Sequence, residues 1–373
     1  MRPLQITCVV GARPNFVKVA PLLEVMKQRA NVKPLLVHTG QHFSPEMSDK
    51  FFQDLSLPAP DIHLGVAAGT QTEQTAEIMR RLEPVFLEGK PDVVLVVGDV
   101  NSTMAAALVA AKLGIRVAHV EAGLRSFDRR MPEEINRIVT DALSDFLFVS
   151  EPSGERNLRA EGVAAEKIFF AGNVMIDTLL RFREKSRTSH IMDDLGLAAG
   201  NFALVTLHRP SNVDDPAQLD GLMGALRTIA AEIPTVFPIH PRTRARMENR
   251  SIDAGKILLT PPLGYVDFLR LMAEARLVLT DSGGIQEETT ILQTACLTLR
   301  ESTERPVTIE EGTNRLVGVE PAAILKAAFE VLHQAPHRNS ARVPALWDGQ
   351  ASNRIVDVLE NKMVNVIGRG GSH

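Results

Sequence analysis

Three carboxylates stand where the chain can put them to work. Asp99 ends the apolar run "VVLVVG", Glu121 ends "IRVAHV", and Glu133 follows Pro132 in "MPEEINR". Grouped carboxylates are a usual means of general acid and general base chemistry. A second account competes. Arg125, Arg129, Arg130 and Arg137 flank Glu133 and Glu134, so the acids could be ion-pair partners on a charged surface. Glu133 in a first helical turn after proline also suits the helix dipole, and Glu121 could simply pair with Arg125.

The stretch "LTDSGGIQEET" offers a different chemistry. It reads as a strand, a tight turn and a helix start. Gly283 and Gly284 allow close backbone approach, the first N–H groups of a helix suit a diphosphate, and Ser282 adds a hydroxyl. Glu287 or Glu288 could accept hydrogen bonds from ribose hydroxyls. The competing reading is that Ser282 only caps the helix. Arg13 and Lys18, near the first helix start, and Arg209, beside His208, could hold phosphate charge. No G-x-x-x-x-G-K-[ST] is present, and "VVGARPNFVK" does not match G-x-G-x-x-G. ATP chemistry and a standard NAD site are therefore disfavoured.

Positioning such groups requires a scaffold, and the apolar pattern supplies one. "LQITCVV", "VKPLLVH", "PDVVLVVGD", "IRVAHVE", "DFLFVSE" and "KIFFAGN" alternate with helical stretches; so do "FALVTLH", "PTVFPIH", "KILLT", "ARLVLTDSGG" and "ACLTLRES". Continuous apolar strands separated by helices indicate parallel sheets covered on both faces. Two such blocks predict an α/β protein with two doubly wound, Rossmann-like domains, residues 1–172 and 173–349. The polar segment within 172–200 forms the junction. Residues 350–373 include an amphipathic helix. Ligands on such sheets bind at the carboxyl ends of the strands, where Asp99, Glu121, His208, His240, Arg242 and Asp281–Gly284 fall.

Bulk properties narrow the field. Over 373 residues the net charge is −4, which invites neither nucleic acid nor an anionic membrane. No apolar stretch approaches a membrane span, and the N-terminal run is too short for a signal peptide. Cys8 and Cys296 lie in apolar stretches and read as buried thiols. A cytoplasmic protein is expected.

The motifs "GARPNFVKVAPL", "TGQH", "GDVNST", "HVEAGLR", "PEEINR", "GNVMIDTL", "TLHRPSN", "PIHPRTR", "LTDSGGIQEET" and "ESTERPVTIEEGTNRLVG" run nearly end to end. Together, in this order, they resemble the non-hydrolysing UDP-N-acetylglucosamine 2-epimerases. The resemblance implies a GT-B architecture, with the two sheets facing a central cleft and the C-terminal helix packed back on the first domain. It implies that Asp99, Glu121 and Glu133 are acid/base carboxylates and that His208 is catalytic near the diphosphate. Arg13, Lys18, Arg209, His240, Arg242, Ser282, Gly283, Gly284 and Glu288 are implied to bind substrate, Glu288 at the ribose.

The reaction implied is reversible epimerisation at C2 of UDP-N-acetylglucosamine, giving UDP-N-acetylmannosamine through a 2-acetamidoglucal, with no cofactor and no metal. A homodimer is implied, and so is a second UDP-GlcNAc as activator near Gln41 and His42. The loop there, "TGQHFSPEMSDKFF", is about two residues longer than the family's usual form. Two other enzyme readings share the nucleotide site. One is epimerisation of a related sugar such as UDP-2,3-diacetamido-glucuronic acid, whose carboxylate Arg129 and Arg130 could meet. The other is a GT-B glycosyltransferase, which would usually need only one base. An inactive UDP-sugar sensor is the reading from outside enzymology.

Overall fold

The protein is described by a computed structural model that covers residues 2–40, 59–67, 69–250, 252–334 and 342–367. Gln41 and His42 lie outside the described residues. The chain divides into two compact units, Met1–Thr178 with Ala345–His373, and Leu179–Pro344. The division falls inside the helix Val174–Ser186.

The first unit is built on seven parallel strands. They are β1 (Leu4–Val10), β2 (Val32–His38), β3 (Ile62–His63), β4 (Val93–Val97), β5 (Arg116–Val120), β6 (Phe146–Val149) and β7 (Ile168–Phe170), in the order β3-β2-β1-β4-β5-β6-β7. β4 is "VVLVV", buried at every position, because helices cover both faces. The order reverses between β1 and β4, which opens a crevice at their carboxyl ends. Cys8 in β1 is buried and free, and burial pushes its thiol up to about 12.

The chain end returns to this unit. Helix Ala351–Ile367 buries Ile355, Val356, Leu359 and Met363. Asp177 accepts from the backbone N–H groups of Ala351 (3.1 Å) and Ser352 (2.7 Å), capping the helix from a distant part of the sequence. Trp347, the only tryptophan, is buried and donates from Nε1 to the Ser150 carbonyl at 2.8 Å.

The second unit repeats the plan with six parallel strands: β8 (Ala203–Thr206), β9 (Thr235–Pro238), β10 (Leu258–Thr260), β11 (Leu277–Thr280), β12 (Cys296–Thr298) and β13 (Asn314–Leu316). Their order is β10-β9-β8-β11-β12-β13, with the reversal between β8 and β11. Its core joins Val205, Leu207, Phe237, Leu279 and Leu297 with Leu222, Leu226 and Ile229 from the helix Pro216–Glu232. Among the described residues no helix is long and apolar enough to cross a membrane. The short strands β3 and β13 are not marked by apolar runs in the sequence.

Candidate active site

Each unit presents polar groups at its own strand reversal.

In the first unit, Asp99 follows β4 and Glu121 follows β5. These strands pair in parallel with Val97 opposite Val120, so the two carboxylates leave the same sheet edge side by side. The helix Pro132–Leu143 carries Glu133 in its first turn. Asn136 Nδ2 on this helix donates to the Asp99 carbonyl at 2.9 Å, and the Arg137 guanidinium pairs with the Asp99 carboxylate. Glu133 precedes Arg137 by one helical turn, on the same face. Asp99 and Glu121 thus share one sheet edge, and the helix that carries Glu133 is bonded to Asp99.

Their surroundings differ. Glu121 is only 7% exposed and its backbone is left-handed, with φ +73°. Such a conformation costs a non-glycine residue about 1–3 kcal/mol and persists only where neighbours enforce it. Lys18, from the helix Arg13–Gln28, pairs with the Glu121 carboxylate. Lys18 therefore neutralises a catalytic candidate, and Arg125 is not its partner. Arg125 instead bonds Glu161 (2.8 and 2.6 Å) and Asp141 (2.7 Å).

Glu133 is partly exposed, and its side chain has no ion pair among the described residues. Glu134 is buried; its two oxygens accept from the N–H groups of Ser126 and Phe127, each at 2.9 Å, and it pairs with Arg137. Arg13 opens its helix just after β1, at the strand reversal. Asn15, unsuspected from the sequence, ties this turn to β4. It accepts from Gly11 N (3.2 Å) and Ala12 N (3.0 Å) and donates to the Val97 carbonyl (2.9 Å).

In the second unit, His208 and Arg209 follow β8, and Asp281 and Ser282 follow β11, again at the reversal. Asp281 is fully buried. It accepts from the backbone N–H of His208 (3.1 Å) and of Arg209 (2.9 Å), and its Oδ1 lies 2.9 Å from His208 Nδ1. Burial opposes ionisation of Asp281, yet the His208 charge and these hydrogen bonds hold its carboxyl below the ordinary range. The imidazole is thereby fixed in orientation while its side chain stays 54% exposed, which leaves Nε2 to a ligand. The sequence placed Asp281 at a strand end without assigning it a role; in the fold it orients His208.

Ser282 is the N-cap of the helix Gly283–Leu292, but its hydroxyl makes no capping bond. The capping account thus fails, and the hydroxyl and first-turn N–H groups remain available to an anion. A Cβ on Gly283 would fall 2.3 Å from Arg305 Nη1, so this guanidinium packs directly on the turn. Arg305 pairs with Glu287 (2.9 Å) and with Glu304 (3.0 Å), which also lies 3.4 Å from Arg209 Nη2. Glu288 accepts from Tyr265 Oη, the only tyrosine, at 2.8 Å. Burial, aided by the neighbouring Glu287 charge, pushes the Glu288 carboxyl up to about 7 against the Tyr265 bond. His240 is exposed just beyond β9, and Arg242 lies in the helix Pro241–Glu248.

The comparisons with known proteins agree on one family. Residues 24–360 match the family model described as UDP-N-acetylglucosamine 2-epimerase. The UDP-N-acetylglucosamine 2-epimerase of Methanocaldococcus jannaschii is 39% identical over 366 residues, covering 95% of this chain and 99% of that protein. A crystal structure of the M. jannaschii enzyme, in complex with UDP-GlcNAc and UDP, matches with a TM-score of 0.90 over 96% of this chain and 100% of that one. The UDP-2,3-diacetamido-2,3-dideoxy-D-glucuronate 2-epimerase of Pseudomonas aeruginosa is also 39% identical, covering 95% of this chain and 99% of that protein. The fold is the expected α/β, GT-B type with two Rossmann-like units. From the strand order to the turn at Ser282, then, the chain belongs to the UDP-N-acetylglucosamine 2-epimerase family.

Proposed function

We propose that the protein interconverts UDP-N-acetylglucosamine and UDP-N-acetylmannosamine by eliminating UDP and adding it back. The reading is supported by one arrangement: Asp99 and Glu121 leave neighbouring strands at one sheet edge, and the helix that carries Glu133 bonds Asp99 through Asn136 and Arg137, in a chain of this family. The proton on C2 lies next to an acetal carbon and is too weakly acidic for removal on its own. A carboxylate takes that proton as the C1–O bond breaks, UDP leaves with the bonding electrons, and a C1=C2 double bond forms. The anomeric carbon becomes oxocarbenium-like, and nearby negative charge stabilises it. UDP oxygen then adds to C1 while an acid returns a proton to the other face of C2.

The departing UDP needs cations and N–H donors. His208, Arg209 and the Ser282–Gly284 turn fit that need in the second unit, with Glu288 at the ribose. Arg13, Lys18, His240 and Arg242 complete the proposed contacts to the substrate. Lys18 also keeps charge balance at Glu121. No cofactor or metal enters this scheme. The family resemblance further supports a homodimer in the cytoplasm, and activation by a second UDP-GlcNAc near Gln41 and His42.

The test is an NMR time course with UDP-GlcNAc alone in D₂O. It is expected to show UDP-N-acetylmannosamine with deuterium at C2. Product that keeps all its C2 protium overturns elimination. Turnover of UDP-2,3-diacetamido-glucuronate but not of UDP-GlcNAc overturns the substrate.

A further inference from the structure

His119 lies in β5, two residues before Glu121, and is 0% exposed. Its Nε2 is 2.8 Å from the Gly98 carbonyl, and its Nδ1 is 2.7 Å from Asp141 Oδ1. A carbonyl cannot donate. Asp141 is fully buried, which opposes its ionisation, but the His119 and Arg125 charges and hydrogen bonds keep its carboxyl below the ordinary range. Both ring nitrogens therefore face acceptors, and the ring donates twice. Asp141 makes a further bond: its Oδ2 accepts from Gly123 N at 3.1 Å and lies 2.7 Å from Arg125 Nη1.

The two ends of this pair hold different turns. Gly98 immediately precedes Asp99. Gly123 closes the turn in which Glu121 is held left-handed. A buried ion pair is weak evidence of stabilisation, because well-packed apolar residues usually serve as well. Its geometric effect is distinct: one rigid ion pair bonds the backbone beside both carboxylates at once. We propose that His119 and Asp141 are positioning residues that set the spacing and aim of Asp99 and Glu121. Neither is placed among the groups that touch substrate, so they act through the two turns. The proposal deepens the epimerase reading and rests on it for its effect on rate.

The experiment uses the full chain carrying His119→Gln, which keeps one donor, and separately Asp141→Asn, which keeps the shape of the carboxyl. Amide hydrogen exchange is followed by mass spectrometry, alongside kcat, KM and calorimetric binding of UDP. In either folded variant, exchange in 97–101 and 121–125 is expected to quicken about tenfold or more, with β1 unchanged. Because a displacement of about 1 Å at reacting groups can cost on the order of a hundredfold, kcat is expected to fall about 10–100-fold. KM and UDP affinity should stay within about twofold, a split that general loss of stability does not produce. Wild-type exchange at both turns in a folded variant overturns the proposal, whatever the activity. So does a fall in UDP affinity that matches the fall in kcat. An inactive wild-type enzyme with quickened exchange in the variants would instead count against the epimerase reading and leave the positioning role supported.

Discussion

Glu133 and Glu134 are chain neighbours with different exposure, whereas Glu287 and Glu288 are both buried against different partners. Adjacent residues on a helix point about 100° apart, so the two members of each pair meet different surroundings. Glu134 holds the Ser126–Phe127 backbone, and Glu287 holds Arg305. The sequence shows the acidic pair but not which member faces which way, since that depends on helix phase to a single residue. Glu288 carries a pH prediction. Its folded value lies near 7, above the ordinary carboxylate range, so it is largely protonated on the acid side and ionised on the alkaline side. Ribose hydroxyls that donate to Glu288 favour the anion, so ligand binding releases a proton. The affinity for UDP-GlcNAc, whose diphosphate does not titrate here, should rise roughly tenfold from about pH 6 to about pH 8. Calorimetry of the wild type and of Glu288→Gln checks this: the variant should lose the slope, and an equal slope in both would clear Glu288 of the role.

At the scale of the element, turns do the positioning. Gly123 has φ +78°, and a Cβ there would fall 2.3 Å from the Gly154 carbonyl oxygen. Only glycine satisfies both the conformation and the contact between the two chain segments. Gly123→Ala should destabilise the protein by about 1–3 kcal/mol. Thermal melting should register this as a loss of about 2–4 °C for each kcal/mol. A melting temperature equal to wild type would show that the turn can rearrange.

The long strands were legible because apolar runs such as "VVLVV" are read directly as buried strands. β13 was not, because its three residues include Asn314 and Arg315 and its pairing comes from β12. Asn15, the bonds of Asp281 and the His119–Asp141 pair escaped for another reason. Their meaning lies in bonds across up to 82 residues, and no local pattern encodes those.

Over the whole molecule, the first unit is closed by the far end of the chain. Asp177 bonds the N–H groups that start the helix Ala351–Ile367, across 174 and 175 positions of sequence. Removing that cap with Asp177→Ala should cost about 1–2 kcal/mol. Amide exchange in 351–363 should quicken first, before exchange in β4. If both quicken together, the returning helix melts only with the entire unit. The pattern of the stretch "ASNRIVDVLENKM" foretold an amphipathic terminal helix, whereas its anchor on Asp177 required the folded structure.

Trp347 and Tyr265 are the sole indole and the sole phenol of the chain, and each lies in a different compact unit. Native emission therefore arrives already labelled: light from the indole follows the first unit and the docking of the chain terminus. The phenol signal, hydrogen-bonded to Glu288, follows the second unit and its proposed nucleotide contact. Denaturation of the two units can be timed separately in one unmodified sample, without introducing a single dye.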